Sequence, residues 1–567
     1  MECQLETETS YSPCLAPVVT HTCKSHPQHD PLTVPSWQAG WRFTPRYGIF
    51  LQLDCVSQRS GIGTGKGIRI GYGSRMNKKP TILFIAIVPP EYAPSNIERY
   101  APERSFELIP HKHSVLALVA WLREKGCEGH YVWGNPGDGR FPMRVEKAIE
   151  EIGPDAIGFS LVTEELLLHY KLIESLKAAH PDIPIIVGGP HTTHQPAETL
   201  GHFPLVDYVA IGEGEMTLAE WLQRIASGRG VAEMSDVAGL AYRDESGKVV
   251  ITAPRERFSD MNVLPDPAFD LIAAPDAPPS RNTAFPLVGS YGCRYFCTFC
   301  AADHGNYRFM TPERLVNQIQ RAQEKFGVEY FAIRDSCWPP SSEWLDEFCD
   351  EIERRGLRIQ FHFETRAGTL SEEQWARLKR IGLQGVGVGV ESGDPEILKA
   401  IKKAITVDMA RKTFAALHKV GIVSVAFFMV GNQGETWESV KRSIALMREL
   451  NPTLLSIATF RPLPGTEAYA LVKEEDRDWW MRGPYPSICE LPTETLHRIR
   501  EDVHVRYPLR WAYLRQNVFG GNLPPQHRAL AWRCFVVNLR RYILGVAERS
   551  RFGSSLIRGA KVVLKRK

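Results

Sequence analysis

Short, fully apolar runs separated by amphipathic stretches fill the chain from residue 80 to residue 230. The runs fall at 82–88, 156–160, 185–189 and 208–212, and apolar residues recur with helical spacing over 112–126, 143–152, 165–179 and 216–227. A strand that lacks polar alternation is buried on both faces, and such strands alternating with helices predict a Rossmann-like, doubly wound parallel sheet. Prolines at 254, 265, 267, 275, 278 and 279 then interrupt the pattern, so residues 231–280 read as a linker. Beyond it the alternation resumes six times. Strands are expected near 286–290, 329–335, 358–366, 385–391, 423–430 and 454–460. Helices are expected near 312–325, 342–355, 372–381, 394–403 with 407–420, and 435–449, with Ser371 and Gln374 as a capping box. Six β/α units predict a partial (β/α)6 barrel of the TIM type over 281–480, with its site at the carboxyl ends of the strands. Residues 481–567 match no barrel unit. Trp479, Trp480, Trp511, Tyr513 and Trp532 lie among arginines and read as part of a mostly helical extension that caps the open side of the barrel.

Residues 1–75 show neither period. They are rich in Ser, Thr, Pro, Gly and His and read either as an over-extended reading frame ahead of a true start at Met76 or as a disordered tail. The stretch Gly61 to Gly67 hints at a phosphate loop but fails the pattern, because Ser60 stands where the first glycine belongs and Gly67 where Ser or Thr would hold magnesium. The first folded domain is therefore placed at 76–230.

A net charge of +3 with 23% charged residues gives no overall drive towards nucleic acid. No run of about 18 apolar residues exists to span a bilayer. Twelve cysteines without a dense framework suit a reducing, cytoplasmic setting. The basic, amphipathic carboxyl end reads as a solvated tail, with peripheral contact to an anionic membrane as the alternative.

The chemistry concentrates in Gly289-Ser-Tyr-Gly-Cys293-Arg-Tyr-Phe-Cys297-Thr-Phe-Cys300, directly after the first barrel strand. Three cysteines on one loop leave one iron of a cubane cluster open to a small ligand, since such a cluster ordinarily takes four. Cys293, Cys297, Cys300 and His304 also satisfy the spacing of a zinc site. Downstream, Gly385-Val-Gly-Val-Gly-Val-Glu391-Ser392-Gly393 and Phe427-Phe-Met-Val-Gly431-Asn-Gln-Gly434 end the fourth and fifth strands, and Phe460-Arg-Pro-Leu-Pro-Gly-Thr466 ends the sixth. From about 281 to 480 this set resembles the radical S-adenosylmethionine (SAM) enzymes. The resemblance implies a 4Fe–4S cluster on the three cysteines and SAM held on the open iron. It places Glu391 with Ser392 at the SAM ribose or amine, and Phe299, Gly431 and Gly434 at the adenine. Asp335 and Arg366, at the ends of the second and third strands, are polar candidates for the same site, Arg366 as a carboxylate clamp.

In the first domain the strand-end loops Pro89-Pro-Glu-Tyr-Ala93, Leu161-Val-Thr163, Gly188-Gly-Pro-His-Thr-Thr193 and Gly212-Glu-Gly-Glu215 face the expected ligand side of the sheet. They resemble the cobalamin-binding domain that precedes many radical SAM domains. The resemblance implies corrin or nucleotide-tail contacts from Pro89, Pro90, Tyr92, Ser160, Thr163, Gly188, Gly189, Pro190, His191, Gly212, Glu213 and Gly214. No Asp-x-His-x-x-Gly occurs, so cobalt is expected without a histidine beneath it. By resemblance the chain is a cobalamin-dependent radical SAM enzyme. It implies methyl transfer to an unactivated carbon of a small-molecule or lipid-like substrate, with cyclisation or ring rearrangement as the alternative, and an external one-electron reductant of flavodoxin or ferredoxin type. A non-catalytic cofactor sensor is the reading from another class.

Overall fold

A computed structural model of the chain describes residues 78–87, 113–135, 138–272 and 284–549. The segment 1–75, the Pro89–Ala93 loop and the basic residues after Arg549 lie outside the described residues. The seven-residue strand β1 (Thr81–Ile87) is buried at every position, as an apolar run without alternation requires. Beside it lie β2 (Glu128–Gly134), β3 (Ala156–Ser160), β4 (Ile185–Gly188) and β5 (Tyr208–Ala210), all parallel, in the order β2-β1-β3-β4-β5. The helices α1 (His113–Glu124), α2 (Arg140–Ile152), α3 (Leu166–Ala179), α4 (Pro190–His194), α5 (Pro196–His202) and α6 (Glu215–Ala226) connect and follow them. Strand β2 escapes the apolar pattern because it is an edge strand, mostly half-buried, with Glu128 and His130 in it.

Part of the stretch read as a linker is not one. Strands β6 (Leu240–Arg243) and β7 (Val249–Ile251) extend the same sheet antiparallel to β5. The Tyr242 ring lies tilted against Tyr208, with centroids 6.3 Å apart, and Arg243 donates to the Val206 carbonyl. The prolines lie after this hairpin, so the sheet continues past the boundary that they suggested.

The second sheet is a six-stranded parallel partial barrel. It consists of β8 (Ala284–Leu287), β11 (Tyr330–Ile333), β12 (Gln360–Arg366), β13 (Leu383–Glu391), β14 (Val423–Val430) and β15 (Leu454–Thr459), in that spatial order. The intervening pair β9 (Ser290–Tyr291) and β10 (Arg308–Phe309) is a separate antiparallel ribbon. Outside the barrel lie α7 (Pro312–Phe326), α8 (Ser342–Arg355), α9 (Glu372–Ile381), α10 (Pro395–Ala400), α11 (Val407–Val420) and α12 (Trp437–Leu450). Their boundaries are encoded locally. Thr311, Ser341, Ser371, Thr406 and Thr436 cap the amino ends with side-chain acceptors, and Gly327, Gly356, Gly382 and Gly421 end helices in the left-handed region. At Gly382 a side chain would meet the Ile359 carbonyl oxygen at 1.8 Å, so only glycine fits.

The carboxyl ends of the two sheets face each other. Arg308 in β10 pairs with Glu213 beyond β5, with one contact at 3.2 Å, and Arg461 beyond β15 lies 3.4 Å from Glu164 beyond β3. Gly465 admits the His194 ring, which a side chain there would meet at 2.1 Å. Trp479 and Trp480, expected in a cap on the barrel, pack instead in the core of the first domain, Trp480 edge-on to His191. Of the helical extension, α13 (Thr493–Arg506) runs along the edge strand β15, with Leu496 against Gly431, and α14 (Pro525–Arg549) covers the amino-terminal end of the barrel. There Leu523, Leu530 and Cys534 meet Val423, Val425 and Leu454, and Tyr513 donates to the Thr453 carbonyl at 3.0 Å.

Burial sets an acid limit to this fold. His113, His191, His418, His504 and His527 are held neutral, with pKa values lowered to about 4, and His362 to about 3. Each contributes stability that is present above pH 6.5 and lost as pH falls towards the folded value. Asp335, raised to about 6, and Glu215 and Glu435, raised to about 7, act in the opposite sense, stabilising the fold more as pH falls. Six groups outweigh three. The melting temperature is expected to drop steadily from pH 6.5 to pH 4.5, and a scan that is flat or rises over that window contradicts this.

Candidate active site

The cysteine loop is held at both ends before any ligand is considered. The ribbon β9–β10 closes it, with Tyr291 opposite Arg308 and Ser290 opposite Phe309. Gly292 has a φ of 76°, and a side chain there would strike the Asn306 carbonyl oxygen at 2.5 Å. Cys293 donates its N–H to the Asp303 carbonyl, Thr298 donates to Ile401, and Ala468 donates to Thr298. Cys293 is buried, Cys297 and Cys300 are half-buried, and all three are free thiols. Cys300 Sγ accepts from the Ala302 N–H at 3.4 Å. His304, the fourth ligand of the zinc alternative, bonds through Nε2 to the Cys300 carbonyl at 2.8 Å. Among the described residues no three Cys, His, Asp or Glu side chains converge on a single ion. Three thiols on one pinned loop fit a cluster, which takes one sulfur on each of three irons.

Asp335 and Arg366 support this loop and its surroundings through bonds within the protein. Asp335 is 3% exposed and accepts from the Gly289 N–H at 2.8 Å and the Ser290 hydroxyl at 2.6 Å, fixing the residues just ahead of Gly292. Arg366 spends its guanidinium on the Lys403 and Ala404 carbonyls and stacks on Tyr295 at 3.6 Å. Ser392 is fully buried, bonded to Ser443 at 3.1 Å and to the Asp394 N–H. These three sets of internal bonds share one cause. Polar groups at strand ends are also needed to satisfy the loops that leave those ends.

Glu391 does lie at the lumen, with an unusual backbone. Its φ of 66° is a strained conformation for a non-glycine residue, and such strain clusters at functional sites. Its carboxylate accepts from Lys403 Nζ at 2.7 Å in a buried pair. Gly389 makes room for both partners, since a side chain there would meet Lys403 Nζ at 2.6 Å and Glu391 Oε1 at 2.8 Å. Gly387, two residues earlier on the same face, likewise admits Phe427 and Glu364. The glycine alternation of β13 therefore hollows the barrel interior. Glu364 is open to solvent there, yet its carboxyl is pushed up by the surrounding protein, as befits a side chain inside a cavity. Phe299 packs against Met429 and Phe460, with Lys403 Nζ 5.7 Å from its ring. Gly431, at a φ of 98°, donates to Glu435 at 2.5 Å, and Gly434 turns with a φ of 74°.

Removing Lys403 should leave Glu391 a buried, unpaired carboxylate, at a cost of about 3 kcal/mol. Lys403→Ala is expected to melt well below the wild type, and Glu391→Gln/Lys403→Met to regain much of the loss. Equal melting of the single and double variants argues against a coupled pair.

An open cleft of about 780 Å³, counting the solvent space at its mouth, lies at the carboxyl ends of β1, β3, β4 and β5. Ser160, Gly188, Gly189, Pro190, Gly212, Glu213 and Gly214 line it, as does Tyr291 from the cysteine loop. Gly189, at a φ of 104°, turns where a side chain would meet the Leu161 carbonyl oxygen at 2.6 Å. This cradle of bare backbone suits a large flat ligand. Glu215 reaches the cleft with Oε2 buried and unpartnered. Two predicted contacts stand behind the wall instead. Thr163 and His191 are buried and bond each other, hydroxyl to Nδ1, at 3.0 Å. Pro89, Pro90 and Tyr92 lie outside the described residues. Lys403, Glu364, Glu215 and Tyr291 were not singled out from sequence. Glu215 and Tyr291 sit inside quoted motifs, whereas Lys403 and Glu364 gave no local signal because only the barrel's closure makes them neighbours.

The family model described as Radical SAM superfamily matches residues 287–447, and that described as B12 binding domain matches residues 104–222. An uncharacterized methyltransferase of Pyrococcus horikoshii is 25% identical over 386 residues, 66% of this chain and 83% of that protein. An anaerobic magnesium-protoporphyrin IX monomethyl ester cyclase of Rubrivivax gelatinosus is 26% identical over 333 residues, 58% of this chain, which spans only 60% of the cyclase. The structure of the cobalamin-dependent SAM radical enzyme OxsB, with aqua-cobalamin and SAM bound, superposes with a TM-score of 0.61 at 17% identity, covering 82% of this chain and 72% of that one.

Proposed function

We propose that this chain, a cobalamin-dependent radical SAM enzyme, is a methyltransferase that acts on an unactivated carbon of a small-molecule or lipid-like substrate. The observation that carries the reading is the shared wall. Tyr291, two residues ahead of Cys293, lines the glycine cleft of the other domain, so that cleft and the cysteine loop adjoin. Methyl transfer to a carbon radical needs such proximity of carrier, radical source and substrate. When bound, the cluster supplies the electron that cleaves SAM to a radical, and cobalamin supplies a carrier for the methyl group.

The chain's own residues then have the following roles. Cys293, Cys297 and Cys300 hold the cluster, on a loop that Asp335 and Gly292 keep in place. Glu391, neutralised by Lys403, offers acceptor oxygens to the hydroxyl or amine groups of SAM. Phe299, Gly431 and Gly434 give the adenine an apolar face and close backbone. Gly188, Gly189, Gly212 and Gly214 let the corrin and its tail approach main chain, with Ser160, Pro190 and Glu213 beside them. Arg308 keeps Glu213 from presenting a free charge to that ligand. His191 is buried and bonded to Thr163, so the cobalt is expected to lack this histidine as a ligand. The electron comes from an external reductant of flavodoxin or ferredoxin type.

The cyclase of Rubrivivax gelatinosus favours ring formation as a second reading. The two separate on one assay. Reconstituted enzyme, reductant and methyl-labelled SAM are incubated with small-molecule and lipid fractions of the source cells. Methyl transfer predicts label in an acceptor from one fraction. Steady 5′-deoxyadenosine release with consumption of an acceptor that never gains label would favour ring formation.

A further inference from the structure

Helix α14 presents two unlike faces. His527, Leu530, Ala531, Cys534 and Asn538 are buried against the rest of the protein. On the opposite side Trp532, Val536 and Ile543 are 45%, 45% and 56% exposed, at spacings that stack them into one stripe along the helix. Arg540 lies between the last two on the same side and is also exposed. The Trp511–Phe519 ring pair, on the segment that precedes α14, is exposed as well, at 68% and 59%. An apolar stripe of this length on a solvent face marks an interaction surface.

Charge decides the occupant. Residues 525–567 contain eleven Lys and Arg against Glu548 alone, in a chain whose net charge is only +3. The stretch after Arg549 continues the trend with Arg551, Arg558, Lys561, Lys565, Arg566 and Lys567 and no acidic residue. A second copy of the chain would bring two such segments together and repel. A nucleic acid would satisfy the charge but leave Val536 and Ile543 facing phosphates. An anionic lipid surface satisfies both, because it takes apolar side chains and a tryptophan at the acyl boundary and arginines among the headgroups. No helix among the described residues is long and apolar enough to cross a membrane, so the contact lies in the plane of the surface.

We infer that α14 docks the protein onto an anionic membrane through the stripe Trp532–Val536–Ile543 and its flanking arginines. This contact does not depend on methyl transfer, and it would bring the enzyme to where a lipid-like substrate resides.

The test is co-sedimentation of the full chain with vesicles of phosphatidylcholine, with and without phosphatidylglycerol. Binding is expected only with phosphatidylglycerol present and should weaken as salt rises. Val536→Asp/Ile543→Asp should lower the partition coefficient about tenfold or more. Both residues are exposed, so melting temperature and 5′-deoxyadenosine release should stay at wild-type values. Arg540→Glu, which keeps the stripe, should weaken binding chiefly at low salt. Absence of vesicle binding overturns the inference, as does binding that Val536→Asp/Ile543→Asp leaves unchanged. So does a wild-type dimer in solution that the same substitutions convert to monomer, or equal affinity for duplex DNA at the same salt.

Discussion

Alanine at Cys293, Cys297 or Cys300 is expected to leave a folded protein that takes up no iron or sulfide and releases no 5′-deoxyadenosine. Each thiolate serves one iron, and no fourth cysteine lies on the loop to replace it. The fold should survive, because the loop's shape comes from other groups. Gly292 makes its turn, Asp335 holds Gly289 and Ser290, and Thr298 is bonded on both sides. Deleting one such sulfur, buried at Cys293 and half-buried at Cys297 and Cys300, costs about 1 kcal/mol. Melting should therefore shift by a few degrees while the brown chromophore disappears entirely. Stoichiometric zinc without iron in anaerobically purified wild type would defeat this expectation.

Gly188→Leu should abolish cobalamin retention with the fold intact. The glycine lies on the wall of the 780 Å³ cleft, and the nearest atoms to an added side chain are Ala210 O and Cβ, at 3.6 and 3.7 Å. These are ordinary contacts and the backbone there is not left-handed, so the protein can carry a leucine. The side chain then occupies the space into which the corrin or its tail would pass. Affinity is expected to fall by about a hundredfold or more, measured as bound corrin absorbance after desalting. Gly189→Ala makes the contrast. With a φ of 104° and the Leu161 carbonyl 2.6 Å away, it should lower the melting temperature directly. A Gly188→Leu protein that retains cobalamin like the wild type would move the ligand out of this cleft.

The fold was legible wherever a single element carried its own signal. Strands β1 and β3 are apolar without alternation, and the barrel helices begin at Ser, Thr or Asp acceptors and mostly end at glycines, so their limits follow from local chemistry. Strand β2 was not legible, since an edge position tolerates Glu128 and His130. The β6–β7 hairpin was hidden by the prolines that follow it. The candidate site divides in the same way. The cysteine spacing and the glycine turns stand in contiguous sequence, and the structure places the three cysteines on one loop and seven of the named residues around one cleft. The role of a polar residue at a strand end was not legible. Asp335, Arg366 and Ser392 are bonded to groups 45, 37 and 51 residues away, and His191 to Thr163, 28 residues away. The Lys403 partner of Glu391 was missed for the same reason, since it becomes a neighbour through the left-handed turn at Glu391 and the bare backbone of Gly389.

The most direct test of the account is a single product measurement. Wild-type enzyme reconstituted with iron, sulfide and cobalamin is given SAM, reductant and its acceptor fraction, and both nucleoside products are quantified. Transfer of a methyl group together with radical generation predicts S-adenosylhomocysteine and 5′-deoxyadenosine in comparable amounts. Gly188→Leu should lose the former, whereas Cys300→Ala should lose the latter and stop S-adenosylhomocysteine at a single turnover, because no substrate radical then takes the methyl group from its carrier. Sustained 5′-deoxyadenosine formation coupled to acceptor turnover, with no S-adenosylhomocysteine in the wild type, would contradict it.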